Sequence, residues 1–177
     1  MCFYYNINKG NTDKLVKNKV ITEKQALILP EIKFANGFEH PQMPIITNMQ
    51  PDVIKDFTWG YLPGNIKGKD QIESFYKRYN TLNSRGENIS DSNLFGEAFE
   101  KRRCVVLCSG FYEWQHVAIP GKAKTLKNKY YITLSDDEMF VLGGIWNSFK
   151  EPSSGEIIST YSILTTDANQ MMAEIHN

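Results

Sequence analysis

Hydrophobic and polar positions mark out a series of short elements along this chain. Met1–Ile7 alternates and is aromatic, which predicts an opening strand. Thr12–Leu29 carries helix formers, with Thr22 placed to act as an N-cap and Pro30 as a stop. Prolines 30, 41, 44 and 51 punctuate the next stretch, and the run Met43–Thr47 reads as a strand between turns. Phe57–Leu62 is a further strand, ended by Pro63-Gly64. Ile72, Phe75, Tyr76 and Tyr79 fall at helical spacing within Asp70–Tyr79. Ser92 is placed as the N-cap of a helix whose apolar side is Leu94, Phe95, Ala98 and Phe99. Arg102 and Arg103 stand in its last turn, where cations suit the helix dipole.

Three strands are expected next, at Cys104–Trp114, Tyr130–Leu134 and Met139–Trp146. A Lys-rich excursion, residues 120–129, separates the first two. A turn at Ser153–Gly155 leads into the strand Ile157–Leu164. Thr166 then caps a final helix in which Met171 and Ile175 stack. Many strands and a few segregated helices predict an α+β fold, with largely antiparallel sheets forming an open barrel-like core. The strand-helix-strand alternation of a parallel sheet is absent.

Composition narrows the partners. The chain has 177 residues, enough for one domain with a real core. Its 20 basic and 20 acidic residues cancel, which excludes a protein that binds nucleic acid by bulk charge, though not one with a local basic groove. Aromatics at 12% exclude a disordered tail. No apolar run approaches a membrane span, and the first ten residues lack the apolar core of a signal peptide. Three cysteines without an export signal point to a reducing cytoplasm.

Four places carry candidate chemistry. Cys2 directly follows the initiator methionine. Removal of Met1 would leave an α-amine and a thiol on one residue, both partly nucleophilic near neutrality. Such a pair condenses with an aldehyde to an imine, and the thiolate then closes a five-membered thiazolidine with an intramolecular advantage. The alternative is a small residue opening an edge strand. Leu82–Asn88 packs Asn83, Arg85 and Glu87 around Gly86. Arg85 can grip a phosphate or carboxylate, or the segment is a polar loop. Glu113 lies between Tyr112 and Trp114, where burial would raise its pKa toward an acid/base role; the alternative is the wet side of an edge strand. His176, one of three histidines, either partners this chemistry or simply suits a helix C-terminus. Cys104 and Cys108 are four apart on an expected strand, roughly 13 Å, too far to share a metal, so no metal and no cofactor is expected. No glycine-rich phosphate loop and no nucleophile elbow is present.

These residues stand in an order that resembles the SRAP family, the abasic-site processing proteins also called SOS response-associated peptidases. The matching blocks are Met1-Cys2, Trp59–Gly64, Asn83–Glu87, Arg102-Arg103-Cys104, Gly110–Trp114, Gly143–Trp146, Thr165–Asn169 and Ile175-His176. The resemblance implies a single domain over residues 1–177 that captures abasic sites in single-stranded DNA through Cys2, in the DNA damage or SOS response. It assigns Asn83 to orient Cys2 and the sugar, Glu113 to proton transfer at the amine, and His176 to ring opening of the deoxyribose. Arg85, Trp114 and Trp59 are its implied DNA contacts. Loss of Met1 is the peptidase-type step, and a monomer is expected. Phe3 and Tyr4 depart from the Gly-Arg of many members, and Asn65 and Ile66 from their tryptophans. The chain ends just after His176, where the family continues, so a C-terminal truncation is expected. The rival readings are a cysteine peptidase acting on other proteins and a non-catalytic single-stranded DNA module.

Overall fold

The computed structural model describes residues 1–121 and 123–175. The first half holds β1 (Tyr4–Ile7), α1 (Asp13–Lys17), α2 (Glu23–Ile28), β2 (Ile32–Asn36), β3 (Gln42–Thr47), β4 (Gln50–Trp59), α3 (Gly68–Arg78) and β5 (Asn83–Arg85). The second half holds α4 (Gly96–Lys101), β6 (Arg103–Cys108), β7 (Gly110–Ala118), β8 (Thr125–Ile132), β9 (Phe140–Lys150), β10 (Ile157–Thr165) and α5 (Gln170–Ile175).

Five strands in the order β4-β3-β6-β9-β10 close on themselves, and β2-β1-β7-β8 form a second, antiparallel sheet. The α+β class stands. The barrel is closed rather than open, because β10 divides its free edge. Thr160 and Tyr161 pair in parallel with Thr58 and Trp59, which completes the ring. Ile163, Leu164 and Thr165 pair in parallel with Asn83, Ser84 and Arg85. The polar Asn-Ser-Arg run, a loop by composition, is thus a short strand held on the barrel.

The apolar run expected as one strand at Cys104–Trp114 is two. Ser109 breaks it: its hydroxyl accepts the Asn8 N–H at 2.8 Å and its own N–H donates to the Asn6 carbonyl at 3.0 Å. β6 therefore enters the barrel and β7 the second sheet. The second half of the Lys-rich excursion is strand, since β8 pairs with β7 from Thr125 onward; Lys122 lies outside the described residues. Thr22 caps α2 with a full capping box. Ser92 accepts from the Leu94 and Phe95 N–H groups one turn ahead of α4. α5 starts later than expected, and Asn169 rather than Thr166 accepts the Met172 N–H at 2.9 Å.

Trp59, expected to touch DNA, lies instead in the core. It is 0% exposed, and its indole N–H donates to the Leu82 carbonyl at 2.9 Å. Its ring packs on Tyr5 and Tyr161, whose hydroxyls hydrogen-bond each other at 2.7 Å. No face of the indole is left for a base. Gly60 follows at φ 127°, and a Cβ there would sit 2.5 Å from His40 Nδ1, so the Trp-Gly pair serves packing.

Glu151 organises the turn between β9 and β10. It accepts from the Ser153 hydroxyl and from the N–H groups of Ser153, Ser154 and Gly68. These bonds hold its carboxyl well below the usual carboxylate range, the Ser153 hydroxyl contributing most. A depressed carboxyl stabilises the fold above the unfolded pKa near 4.3, and that stability fades as pH falls through the folded value. Urea unfolding of the wild type should therefore weaken below about pH 4–5, and Glu151→Gln should lower stability at neutral pH and flatten that part of the profile.

Candidate active site

The start of β1 enters beside β5, β7 and the end of β10. The Cys2 N–H donates to Asn83 Oδ1 at 3.1 Å, and Asn83 Nδ2 donates back to the Cys2 carbonyl at 2.8 Å. The side-chain amide thus mimics a neighbouring strand and fixes both backbone groups of residue 2. Asn83 is itself fixed, because β5 is paired to β10 opposite Ile163.

β7 supplies the acid. Its residues alternate between two faces. Phe111 and Glu113 point inward, and Glu113 is only 5% exposed. The ammonium of Met1 sits 3.5 Å from Glu113 Oε1. The buried carboxylate is therefore aimed at the place where a chain-terminal amine lies. Gly110, just upstream, leaves room for the Tyr131 ring: a Cβ there would fall 2.5 Å from its outer edge and push it aside.

Cys2, Glu113 and Arg85 border one cleft of about 480 Å³, with an apolar wall that includes Phe111, Leu142 and Ile163. Arg85 stands at its rim, and its guanidinium reaches Asp167 Oδ1 at 2.7 Å and Glu87 Oε2 at 3.6 Å. Asp167 was legible only as part of the Thr165–Asn169 block; nothing in the sequence signalled its carboxylate as a partner of Arg85. Backbone N–H groups, its own and that of Asp167, hold the Glu87 carboxyl below the usual range. Both ion pairs are exposed and are worth little to the fold.

Trp114 is not in the cleft. It lies on the opposite face of β7 from Glu113, with its ring 4.8 Å from that of Tyr4. α5 docks against β7, where Gln115 Nε2 donates to the Glu174 carbonyl at 2.8 Å. His176 lies outside the described residues. The structure thus brings together Cys2, Asn83, Arg85 and Glu113, places Trp114 around the edge of β7 and withdraws Trp59 into the core.

With Met1 in place, the Cys2 nitrogen is a peptide N–H and the thiol is pushed up to about 12. Burial is the larger cause and the charge of Glu113 the second. The thiol is therefore neutral near pH 7. Alkylation of Cys2 by iodoacetamide at pH 8, followed by mass spectrometry, should run on the order of 10²–10³-fold slower than for a free cysteine, because the thiolate is so scarce. Removing Met1 places an ammonium on Cys2 itself, which favours the thiolate, so the processed protein should react faster.

Cys104 and Cys108 are free, buried thiols on β6. Among the described residues no cluster of His, Cys, Asp or Glu is arranged to hold a metal, and no helix is long and apolar enough to cross a membrane.

A closed five-stranded barrel, a second sheet and an Asn-clamped cysteine at the chain start define a recognisable class. The profile of the family SOS response associated peptidase (SRAP) matches residues 1–177, and the chain belongs to that family. It is 32% identical over 139 residues to the abasic site processing protein HMCES of Gallus gallus, covering 71% of this chain and 40% of that protein. It is 27% identical over 135 residues to the abasic site processing protein YoqW of Bacillus subtilis, covering 76% of this chain and 55% of the other. The chain thus spans about half or less of the length of these curated relatives. Among solved structures, a protein of Bacteroides thetaiotaomicron superposes with a TM-score of 0.77 at 29% identity, covering 98% of this chain and 72% of that one.

Proposed function

We propose that this chain, once Met1 has been removed, captures abasic sites in single-stranded DNA by forming a thiazolidine between Cys2 and the sugar aldehyde. The observation that carries the reading is the convergence of three groups on the chain start. Asn83 clamps residue 2 through two hydrogen bonds, the buried Glu113 reaches 3.5 Å from the terminal ammonium, and Arg85 stands at the rim of the same cleft. The naming of the relatives as abasic site processing proteins supports it.

The chemistry follows from these positions. In the processed chain the α-amine of Cys2 takes over the approach to Glu113. Glu113 takes a proton from the Cys2 ammonium, and the freed amine attacks C1′ of the ring-opened deoxyribose, giving a carbinolamine. Glu113 delivers a proton to the departing hydroxyl, and one water leaves to form the imine. The Cys2 sulfur adds to the imine carbon while the nitrogen takes up a proton, which closes the ring. Asn83 fixes the Cys2 carbonyl and so the direction of the amine. Arg85 exchanges its carboxylate partners for the phosphate beside the lesion, a trade that costs little at an exposed pair. Trp114 stacks on a base outside the cleft. His176 keeps its sequence-based role of proton transfer to the deoxyribose ring oxygen. Removal of Met1 is the peptidase-type step, and three free thiols suit a reducing compartment.

The direct test incubates the Met1-processed chain with single-stranded DNA carrying one abasic site and resolves the products on a denaturing gel after heating. A heat-stable adduct that is absent with undamaged DNA is expected. No adduct from folded, processed protein would refute the reading, and Cys2-dependent cleavage of unrelated peptides would favour a general peptidase instead.

A further inference from the structure

The outer face of the second sheet is built unlike the rest of the surface. The register sends Tyr4 of β1, Tyr112 and Trp114 of β7, and Lys127, Lys129 and Tyr131 of β8 to the side away from the core. Phe34 of β2 joins them, with its ring 5.1 Å from Tyr4 and 5.3 Å from Tyr112. Tyr112 in turn lies 4.9 Å from Tyr131. Lys129 sits in the middle, its Nζ 4.1 Å from the Tyr112 ring centre, 5.0 Å from Phe34 and 5.7 Å from Trp114. Phe34 and Tyr131 are each 47% exposed. Neither the cleft nor the core accounts for this arrangement.

We propose that this face is a stacking platform for the single-stranded DNA that runs out of the Cys2 cleft. Bases lie on Phe34, Tyr112 and Tyr131, and Lys127 and Lys129 meet the phosphates. The identity of the strand rests on the function proposed above.

Three observations favour nucleic acid over a protein partner. The outward positions of β1, β7 and β8 carry no Asp or Glu, although the chain as a whole is neutral, so the face is locally basic. They also carry no Val, Leu, Ile or Met, the aliphatic side chains that fill a protein interface; the apolar area is aromatic, which suits base faces. Finally, the face lies around the edge of β7 from the cleft. Tyr4 is two residues, about 7 Å, along β1 from Cys2 and packs on Trp114, the neighbour of Glu113. The three rings around Lys129 hold its ammonium in place before any ligand arrives, which lowers the ordering cost of a phosphate contact. In this chain, the aromatic residue at position 4 lies on the platform itself.

Fluorescence anisotropy on the processed chain tests this, with labelled, undamaged oligothymidylates of about 4 and about 16 nucleotides. Wild-type affinity should rise strongly from the short to the long strand. Phe34→Ala and Lys129→Ala should weaken binding of the long strand by about 5- to 100-fold and leave the short one unchanged. Phe34→Trp should keep the length dependence, which separates stacking from loss of fold. Lys129→Gln should lower the slope of log affinity against log salt by about 0.7. Adduct formation on a short abasic oligonucleotide should match the wild type in all these variants. If the wild type forms no adduct, the function proposed above fails. If it forms one but the length dependence is unchanged in Phe34→Ala and Lys129→Ala, the platform is refuted. Loss of self-association in these variants with unchanged DNA affinity would likewise refute it and make the face a protein interface.

Discussion

A processed Cys2→Ala chain should give no heat-stable adduct with abasic single-stranded DNA, yet should still give one when borohydride is added. The difference follows from the two nucleophiles on residue 2. Alanine keeps the α-amine, and the Asn83 clamp holds backbone groups that the substitution does not touch. Imine formation beside Glu113 therefore survives. What is lost is the sulfur that closes the ring, so the imine returns to aldehyde and amine on heating unless it is reduced. Cys2→Ser should behave in the same way, because a neutral hydroxyl is a far weaker nucleophile than a thiolate. Denaturing gels with and without borohydride distinguish the outcomes. A heat-stable adduct from Cys2→Ala without reductant would mean that another side chain carries the covalent bond.

Trp59→Ala should destabilise the fold by about 3–5 kcal/mol, the usual cost of truncating a buried aromatic side chain. For a chain of this size that is a fall in melting temperature on the order of 10 °C, read by circular dichroism. The backbone of Trp59 pairs with Tyr161 across the β4–β10 junction, and its indole packs on the Tyr161 ring there. It also ties the Leu82 carbonyl, next to Asn83, into the core. The substitution should consequently slow adduct formation as well, through loss of the Asn83 position and not through loss of a DNA contact. A folded, equally stable Trp59→Ala protein with weakened DNA binding would restore Trp59 to the surface role implied by its motif.

The path from sequence to site can be traced residue by residue. Cys2, Asn83, Arg85 and Glu113 were legible because each needs only its own chemistry and its place in an ordered series of blocks; the fold brings Cys2, Arg85 and Glu113 to one cleft and bonds Asn83 to Cys2 beside it. Capping was legible at Thr22, where the donor, the acceptor and the helix lie within four residues. Trp59 was misread because a motif marks a residue without saying which way it points, and a tryptophan that packs a core looks the same in sequence as one that stacks on a base. Trp114 shows the complementary difficulty. Neighbours on a strand face opposite sides, so Glu113 and Trp114 cannot both enter one cleft. The split at Ser109 showed in the sequence only as a Ser-Gly step within an otherwise strand-like stretch, because the hydrogen bonds that break it come from Asn6 and Asn8, about a hundred residues away. Barrel closure rests on two residue pairs between β4 and β10, which carry no local signal. Asp167 went unassigned because its meaning depends on a partner, Arg85, on another strand.

Intact-mass and peptide mass spectrometry of the adduct tests the central claim most directly. The processed chain should gain the mass of the abasic oligonucleotide less one water, and the modified residue after digestion should be the N-terminal Cys2. A chain that retains Met1 should show no such species. An adduct on a lysine, on Cys104 or on Cys108, or one that forms equally well with Met1 in place, would contradict the account.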